Sequence, residues 1–468
     1  VSGNPSTRSN RKVTLIGGGG VRTPLVIYGV NESAERLGVD EMVLYDLDPA
    51  RAEVMCKLGQ ALVAREGGSL KLSVAADLES AVAGAAFVLT AVRVGGIRGR
   101  AIDERISIEN GYPGQETTGP GGIAMGLRTI NVAIEYARLI ERLAPDAWMI
   151  NFTNPAGLIT QAISQHSTVK VIGICDTPTE LFHRIALALG APPAEVHCEY
   201  VGLNHLGWVR RVLLRGEDVT ARILADDIAL ASLYQAPLFD FELLRALRLI
   251  PTEYLFFYYS RSRALANQRA AGATRGEEVA QLNEELFASL ARSLAADADN
   301  ADEALALYVA YLNQRSGSYM QLEASAGTAF DKSHALTEDP FRVATGYHRI
   351  ALDVMNALCS PTPSRVVVNV RNHGAIADVA PEDIVEAACA ISESGIVREV
   401  CGALPEEVRG LVLAVKAYER AAIEAAVTGS HAAARKAMLL YPAIGEWEPS
   451  AGLLRDFAAR SPQFPKFA

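Results

Sequence analysis

Four consecutive glycines, Gly17, Gly18, Gly19 and Gly20, lie between a short β-rich stretch and a helical one. Glycines let a backbone approach a pyrophosphate, and a helix N-terminus adds N–H groups and the positive end of its dipole. Asp46 closes the next β-rich stretch, where a carboxylate can bind a ribose diol and disfavour a 2′-phosphate. Together these point to NAD. A tight strand–helix turn without a ligand is the plainer alternative, because the G-x-G-x-x-G spacing fails at Thr23.

Cys175 ends another β-rich run and precedes Asp176-Thr-Pro-Thr-Glu180. Open parallel sheets bind ligands at strand carboxyl ends, yet an isolated buried thiol is ordinary core. Thr177 and Glu180 have the spacing of a capping box with Pro178 in the first turn, and Asp176 can serve as both cap and site residue. His205 is polar within the apolar segment Gly202-Leu-Asn-His-Leu-Gly-Trp208, which alone reads as a satisfied core histidine. If it meets Cys175, thiolate and imidazole make half of a transition-metal site, for which ligand softness alone favours zinc. Tyr254 opens an aromatic run to Tyr259 whose default reading is core.

The elements that must position these groups alternate in the first half of the chain. Strands are expected over 12–17, 42–46, 86–92, 148–152 and 169–175, with helices between them, the clearest over 123–143. Thr23 and Pro24 suit an N-cap and first helical residue. The pattern predicts an α/β fold: a Rossmann-like, doubly wound parallel sheet over residues 1–200. It is packed on a mainly helical α+β domain over 201–468, with helices over 278–296, 301–313 and 411–427 and a strand over 366–370.

The 468 residues are half hydrophobic and 21% charged, which excludes a disordered chain and leaves material for about two domains. A net charge of −10 without a basic tract argues against nucleic acid as a partner, and no apolar run is long enough to span a bilayer. Residues Val1 to Lys12 read as a polar tail rather than a secretory signal. Six irregularly spaced cysteines fit a reducing cytoplasm better than a disulfide scaffold.

Taken together, the motifs resemble glycoside hydrolase family 4, the NAD- and metal-dependent 6-phosphoglycosidases. The resemblance runs from Lys12 to about Leu440. Its first half rests on Arg93-Val-Gly-Gly96, Gly114-Gln-Glu-Thr-Thr-Gly-Pro-Gly-Gly122, Asn151-Phe-Thr-Asn-Pro-Ala-Gly157 and Gly173-Ile-Cys-Asp176. Its second half rests on the His205 segment, Ile250-Pro-Thr-Glu-Tyr-Leu255, Thr274-Arg-Gly-Glu-Glu278, Val370-Arg-Asn-His-Gly-Ala-Ile376 and Val415-Lys-Ala-Tyr-Glu419. The wording around Asn154 and Asn204 is nearest to the 6-phospho-β-glucosidase branch.

The resemblance implies that Cys175 and His205 bind a divalent metal, manganese in the family, and that Tyr254 is the catalytic base. It places Asp176 at the general-acid position of the α-glycoside members. It assigns Arg100, Asn154 and Arg275 to the phosphosugar, and the glycine turn and Asp46 to NAD. The implied reaction is oxidation at C3, deprotonation at C2, elimination of the aglycone, addition of water and return of the hydride. A homodimer or homotetramer is also implied.

Three positions depart from the family pattern. Asp176 stands where β-type members usually carry asparagine. Gly20-Val21-Arg22 replaces a glycine–serine turn near the sugar phosphate; Arg22 either substitutes as a guanidinium or is a surface charge. Arg371-Asn-His373 replaces a more neutral run. A simple NAD-dependent dehydrogenase, which shares the first-half fold, and a non-catalytic NAD- or sugar-phosphate-sensing protein remain as competing expectations.

Overall fold

The structure, a computed structural model, describes residues 11–296, 301–317, 319–324, 339–343 and 345–467. The tail expected at the start therefore lies outside the described residues up to residue 10. The first strand, β1 (Arg11–Ile16), is buried on both faces from Val13 onward, as a central parallel strand must be. It is followed by α1 (Thr23–Leu37), β2 (Val39–Tyr45), α2 (Pro49–Arg65), β3 (Lys71–Val74), α3 (Leu78–Val82) and β4 (Ala85–Thr90). Next come α4 (Gly96–Glu109), α5 (Gly119–Leu143), β5 (Trp148–Asn151), α6 (Ala156–His166), β6 (Lys170–Gly173) and α7 (Thr177–Ala188).

These six strands run parallel in the order β3-β2-β1-β4-β5-β6. The chain reverses its winding direction between β1 and β4, and such a switch point opens a crevice at the carboxyl ends of the strands. The sheet does not stop at β6. Ser364–Arg371 joins it antiparallel, with Asn369 opposite Gly173, and Ile384–Ser392 and Gly395–Arg398 extend it to nine strands. The expected parallel sheet is thus a mixed one, completed from the second half of the chain.

Apolar side chains cover both faces. Ile27 and Val30 of α1 meet Ile350 and Val354 on one face. On the other, Ile123, Leu127 and Ile130 of α5 share a core with Val408, Val412 and Ala422 of the helix Glu406–Thr428. Each such valine, leucine or isoleucine contributes roughly 1.5–3 kcal/mol when fully buried.

A second, small antiparallel sheet carries the hairpin of β7 (Val196–Leu203) and β8 (Leu206–Leu214), turned by Asn204 and His205. The short strand Ile250–Pro251 pairs with β8 at Val209 and Trp208. No helix among the described residues is long and apolar enough to cross a membrane. All six cysteines are free thiols.

Local expectations shift at two helix starts. Arg22 occupies the N-cap of α1, so Thr23 and Pro24 are already inside it. The capping box at α7 does not form: Asp176 holds the N-cap position without a side-chain cap bond. Thr177 is inside the helix, and the Glu180 carboxylate is taken by Arg184 and by the Thr345 hydroxyl. Strand β6 also ends at Gly173, which leaves Cys175 in the loop beyond it.

Candidate active site

The glycine turn sits at the carboxyl end of β1, between β2 and β4. Gly17 has φ +93°, and a Cβ there would come within 2.4 Å of the Ala91 carbonyl oxygen. A Cβ on Gly18 would approach the Leu44 Cβ to 2.7 Å, and one on Gly19 would approach Asp46 Oδ2 to 2.9 Å. The turn is therefore built for glycine alone. Just past β2, Asp46 accepts the Gly19 N–H on Oδ2 at 2.8 Å and the Asp48 N–H on Oδ1 at 2.9 Å. Each oxygen keeps a further lone pair, so the carboxylate is positioned by the turn and can still accept from a diol.

Cys175 and Asp176 follow β6, and Asn154 follows the adjacent β5, so all three stand at the same sheet edge as the glycine turn. The Cys175 thiol is buried and donates to the Thr177 hydroxyl at 3.4 Å. Burial, with Glu386 and Asp176 nearby, pushes it well above the usual thiol range. Glu386 is itself fixed by the Tyr200 hydroxyl at 2.6 Å and the Asn369 amide at 3.1 Å, on strands of the two sheets. Asp176 is half-buried; burial pushes its carboxyl up to about 6 although Arg22, 3.9 Å away, pulls it down. Arg22 therefore faces the site's acid as well as solvent.

The β7–β8 turn delivers His205. Its backbone adopts φ +59°, which a non-glycine residue seldom takes. The turn is anchored by Asn204 Oδ1, which accepts the Gly157 N–H at 3.3 Å. His205 Nδ1 lies 2.9 Å from the Thr117 hydroxyl. Its Nε2 is buried with no hydrogen-bond partner among the described residues. Burial pushes the imidazole down to about 3, only partly opposed by Glu116, so the ring is neutral.

Tyr254 reaches the same place because Ile250–Pro251 pairs with β8 and the Thr252 N–H bonds to the Gly207 carbonyl at 2.9 Å. Its ring stacks on His205, with centroids 3.7 Å apart. Burial and the neighbouring Glu116 and Glu253 push the phenol well above its ordinary value, while a hydrogen bond with Tyr319 and the nearby Cys175 act in opposite senses. Tyr319 also donates to Glu253 at 2.8 Å, and burial pushes Glu253 up to about 8. Tyr254 thus lies within electrostatic reach of Cys175 and in ring contact with His205.

Arg100 is buried on α4 between Glu104 at 2.7 Å and Glu116 at 3.0 Å, and Arg93 pairs with Glu116 as well. Arg275 starts the helix Arg275–Ala296, 3.2 Å from Glu278 and 2.6 Å from the Arg315 carbonyl. The Gly276 N–H bonds Glu104 at 2.6 Å and links the two arginine-bearing helices. The Asn154 Oδ1 is buried and unpartnered among the described residues. Sequence reasoning missed Arg315, a half-buried guanidinium close enough to Arg22 and Arg100 to feel both charges. It also missed Glu116, Thr117 and Tyr319; the first two lie in the quoted segment 114–122, while nothing local marks Arg315 or Tyr319. Arg371-Asn-His373 is structural: Arg371 bonds Ser164, and the buried Asn372 closes its loop on Ile376 and Val379.

The donors suit a dinucleotide and a divalent cation. The glycine cradle leaves no room for a side chain at Gly17, Gly18 or Gly19, and a neutral imidazole presents a bare, buried Nε2. Among the described residues no three His, Cys, Asp or Glu side chains converge as a closed metal cage. A cation here would therefore keep positions for oxygen donors other than these side chains, the open arrangement of a catalytic site.

The description "Family 4 glycosyl hydrolase" matches residues 12–191, and "Family 4 glycosyl hydrolase C-terminal domain" matches 200–444. The chain is 32% identical to the "Probable 6-phospho-beta-glucosidase" of Bacillus subtilis, over 92% of each chain. It is 30% identical to the 6-phospho-beta-glucosidase of Escherichia coli, over 98% of this chain and 97% of that one. The structure of the 6-phospho-beta glucosidase from Thermotoga maritima with manganese, NAD+ and glucose-6-phosphate superposes with a TM-score of 0.79 at 26% identity, covering 98% of this chain and all of that one.

Proposed function

The chain belongs to family 4 of the glycosyl hydrolases and is a glycoside hydrolase; we propose that within the family it cleaves 6-phospho-β-glucosides. The observation that carries this reading is the stack of Tyr254 on His205, in a turn tied to the Gly157 N–H just past β5, with Cys175 within electrostatic reach of Tyr254. The two β-glucosidase relatives and the Thermotoga neighbour support the anomer and the phosphate. In this reading the turn Gly17–Gly20 and Asp46 hold NAD, Cys175 Sγ and His205 Nε2 hold a divalent cation, and Arg100, Asn154 and Arg275 hold the phosphosugar. Residues 1–200 then form the cofactor half and 201–468 the half that supplies His205, Tyr254 and Arg275.

Bound NAD supplies a hydride acceptor and donor for the sugar C3, and the cation supplies a Lewis acid for the sugar oxygens. Tyr254 removes the C2 proton. Burial, Glu116 and Glu253 disfavour its phenolate, and the single Tyr319 proton is taken by Glu253, so the base needs positive charge close by. Asp176, raised to about 6, retains a proton fraction near neutrality and can give it to the departing oxygen. Burial of Cys175, His205 and Tyr254 keeps bulk water from the proton in transit.

Nitrophenyl 6-phospho-β- and α-glucosides, offered with NAD and Mn²⁺ in a reducing buffer, test the reading. Aglycone release from the β anomer without NADH accumulation is expected, with solvent exchange at C2. Stoichiometric NADH would identify a dehydrogenase, and turnover of unphosphorylated glycosides alone would remove the phosphate. Faster cleavage of the α anomer would favour the second reading, a 6-phospho-α-glucosidase. The carboxyl at Asp176 speaks for that reading, because α-type members place an acid there.

A further inference from the structure

Gln115 and Thr117 belong to the sequence motif 114–122, yet neither has a part in the proposed reaction. The Gln115 side-chain oxygen Oε1 accepts the backbone N–H of Thr117 at 2.6 Å and that of Thr118 at 2.8 Å. Two backbone donors can meet only an acceptor, so this atom is the carbonyl oxygen of the amide rather than its nitrogen. The Thr117 hydroxyl lies 2.9 Å from the same oxygen and 2.9 Å from His205 Nδ1. An amide oxygen has no proton to give, so the hydroxyl donates to it. The hydroxyl has one proton, and its remaining interaction with Nδ1 is as an acceptor. In this arrangement His205 carries its proton on Nδ1.

We propose that Gln115 and Thr117 are positioning residues that fix His205 in the Nδ1–H tautomer and so leave the Nε2 lone pair bare for a divalent cation. Nε2 is the atom that lacks any partner among the described residues. The constraint is costly to undo. Inverting the tautomer would place the hydroxyl proton on Nδ1 and leave two oxygens 2.9 Å apart with no proton between them. Glycines hold the relay in place: a Cβ on Gly122 would come within 2.3 Å of the Thr117 carbonyl carbon, and one on Gly121 within 2.5 Å of the Gln115 carbonyl oxygen. The loop thus folds back on the first turn of α5 at a fixed distance. Imidazole ligands generally owe their orientation and tautomer to such a partner on the far nitrogen, and removing it typically costs about 10- to 100-fold in metal affinity.

The inference rests on His205 being a metal ligand, and the experiment separates the two ideas. In metal-free protein labelled with ¹⁵N-histidine, with His205→Asn to assign the signal, Nδ1 should show the shift of a protonated ring nitrogen and Nε2 that of a bare one. The opposite pattern would overturn the proposal without any variant of the relay. Mn²⁺ affinity is then measured without substrate. His205→Asn should abolish it; retained affinity would remove the ligand and the proposal together. Thr117→Val, which keeps shape but has no hydroxyl, should weaken Mn²⁺ about 10- to 100-fold, and Thr117→Ser should restore it. Loss in His205→Asn with unchanged affinity in a folded Thr117→Val would sink the positioning role alone.

Discussion

The phenol ring of Tyr254 lies flat on the imidazole of His205, the planes 8° apart and the centroids 3.7 Å apart. The contact separates two roles of Tyr254 that one substitution can tell apart. Tyr254→Phe keeps the ring and the stack but removes the hydroxyl. Turnover of the 6-phospho-β-glucoside should fall about 10²- to 10⁴-fold, the usual contribution of a positioned general base. Mn²⁺ affinity should stay within a few-fold of the parent protein, as calorimetry would report. Equal turnover in the variant would take the base role from Tyr254.

The glycine cradle predicts a loss confined to the dinucleotide. Gly18→Ala places a methyl group against the Leu44 Cβ, and backbone or side chain must move to admit it. NAD affinity, followed by nicotinamide or protein fluorescence, should drop at least about tenfold, with Mn²⁺ binding retained. Unchanged NAD affinity would place the cofactor elsewhere.

Asp176 predicts a dependence on the leaving group. A nitrophenolate leaves without a proton, whereas an alkoxide needs one. Asp176→Asn should therefore slow cleavage of an alkyl 6-phosphoglucoside about 10²-fold and leave the nitrophenyl substrate within a few-fold. Equal effects on both would assign Asp176 to binding or structure rather than to proton donation.

Glu323 predicts a pH dependence of stability. It is buried, and burial pushes its carboxyl up from 4.5 to about 7. The folded state thus holds the proton more tightly than the unfolded chain. Folding loses stability as pH rises from about 4.5 through 7, and the loss is complete above that range. Glu323→Gln removes this titration, so the melting temperature of the variant should gain on the parent across that window and then run parallel. The gap corresponds to no more than about 3 kcal/mol. Parallel melting curves from pH 4 to 8 would show that the carboxyl is solvated.

The central strands β1, β2, β4, β5 and β6 and the glycine turn were legible because they are local, β-rich runs, glycines and an acid in sequence order, whereas the edge strands 71–74, 384–392 and 395–398 were not expected. The long helices were equally plain, with ends shifted by a few residues; α5, for instance, begins at Gly119 rather than Ile123. The stack of Tyr254 on His205 was not legible from spacing. It depends on a two-residue strand pairing with β8, a non-local event that two residues of sequence cannot announce. The resemblance supplied the roles of those residues but not their contact. The capping box failed for a similar reason, since Glu180 met Arg184 and Thr345 instead of the helix start. Arg315 went unnoticed because its proximity to Arg100 is set by packing between helices far apart in the chain.

The joining of Ser364–Arg371 to β6 bears on how the protein could be divided. Cutting the chain between residues 191 and 200, where the two family matches part, would leave β6 as a raw edge directly beneath Cys175. The fragment would expose unpaired peptide groups at the place where the thiol must be held still, and such edges recruit foreign strands. The halves are therefore poor candidates for separate expression or for exchange between relatives. A chimera would have to carry the strands 364–398 along with the first half, so the natural seam of this molecule is not where its sequence divides.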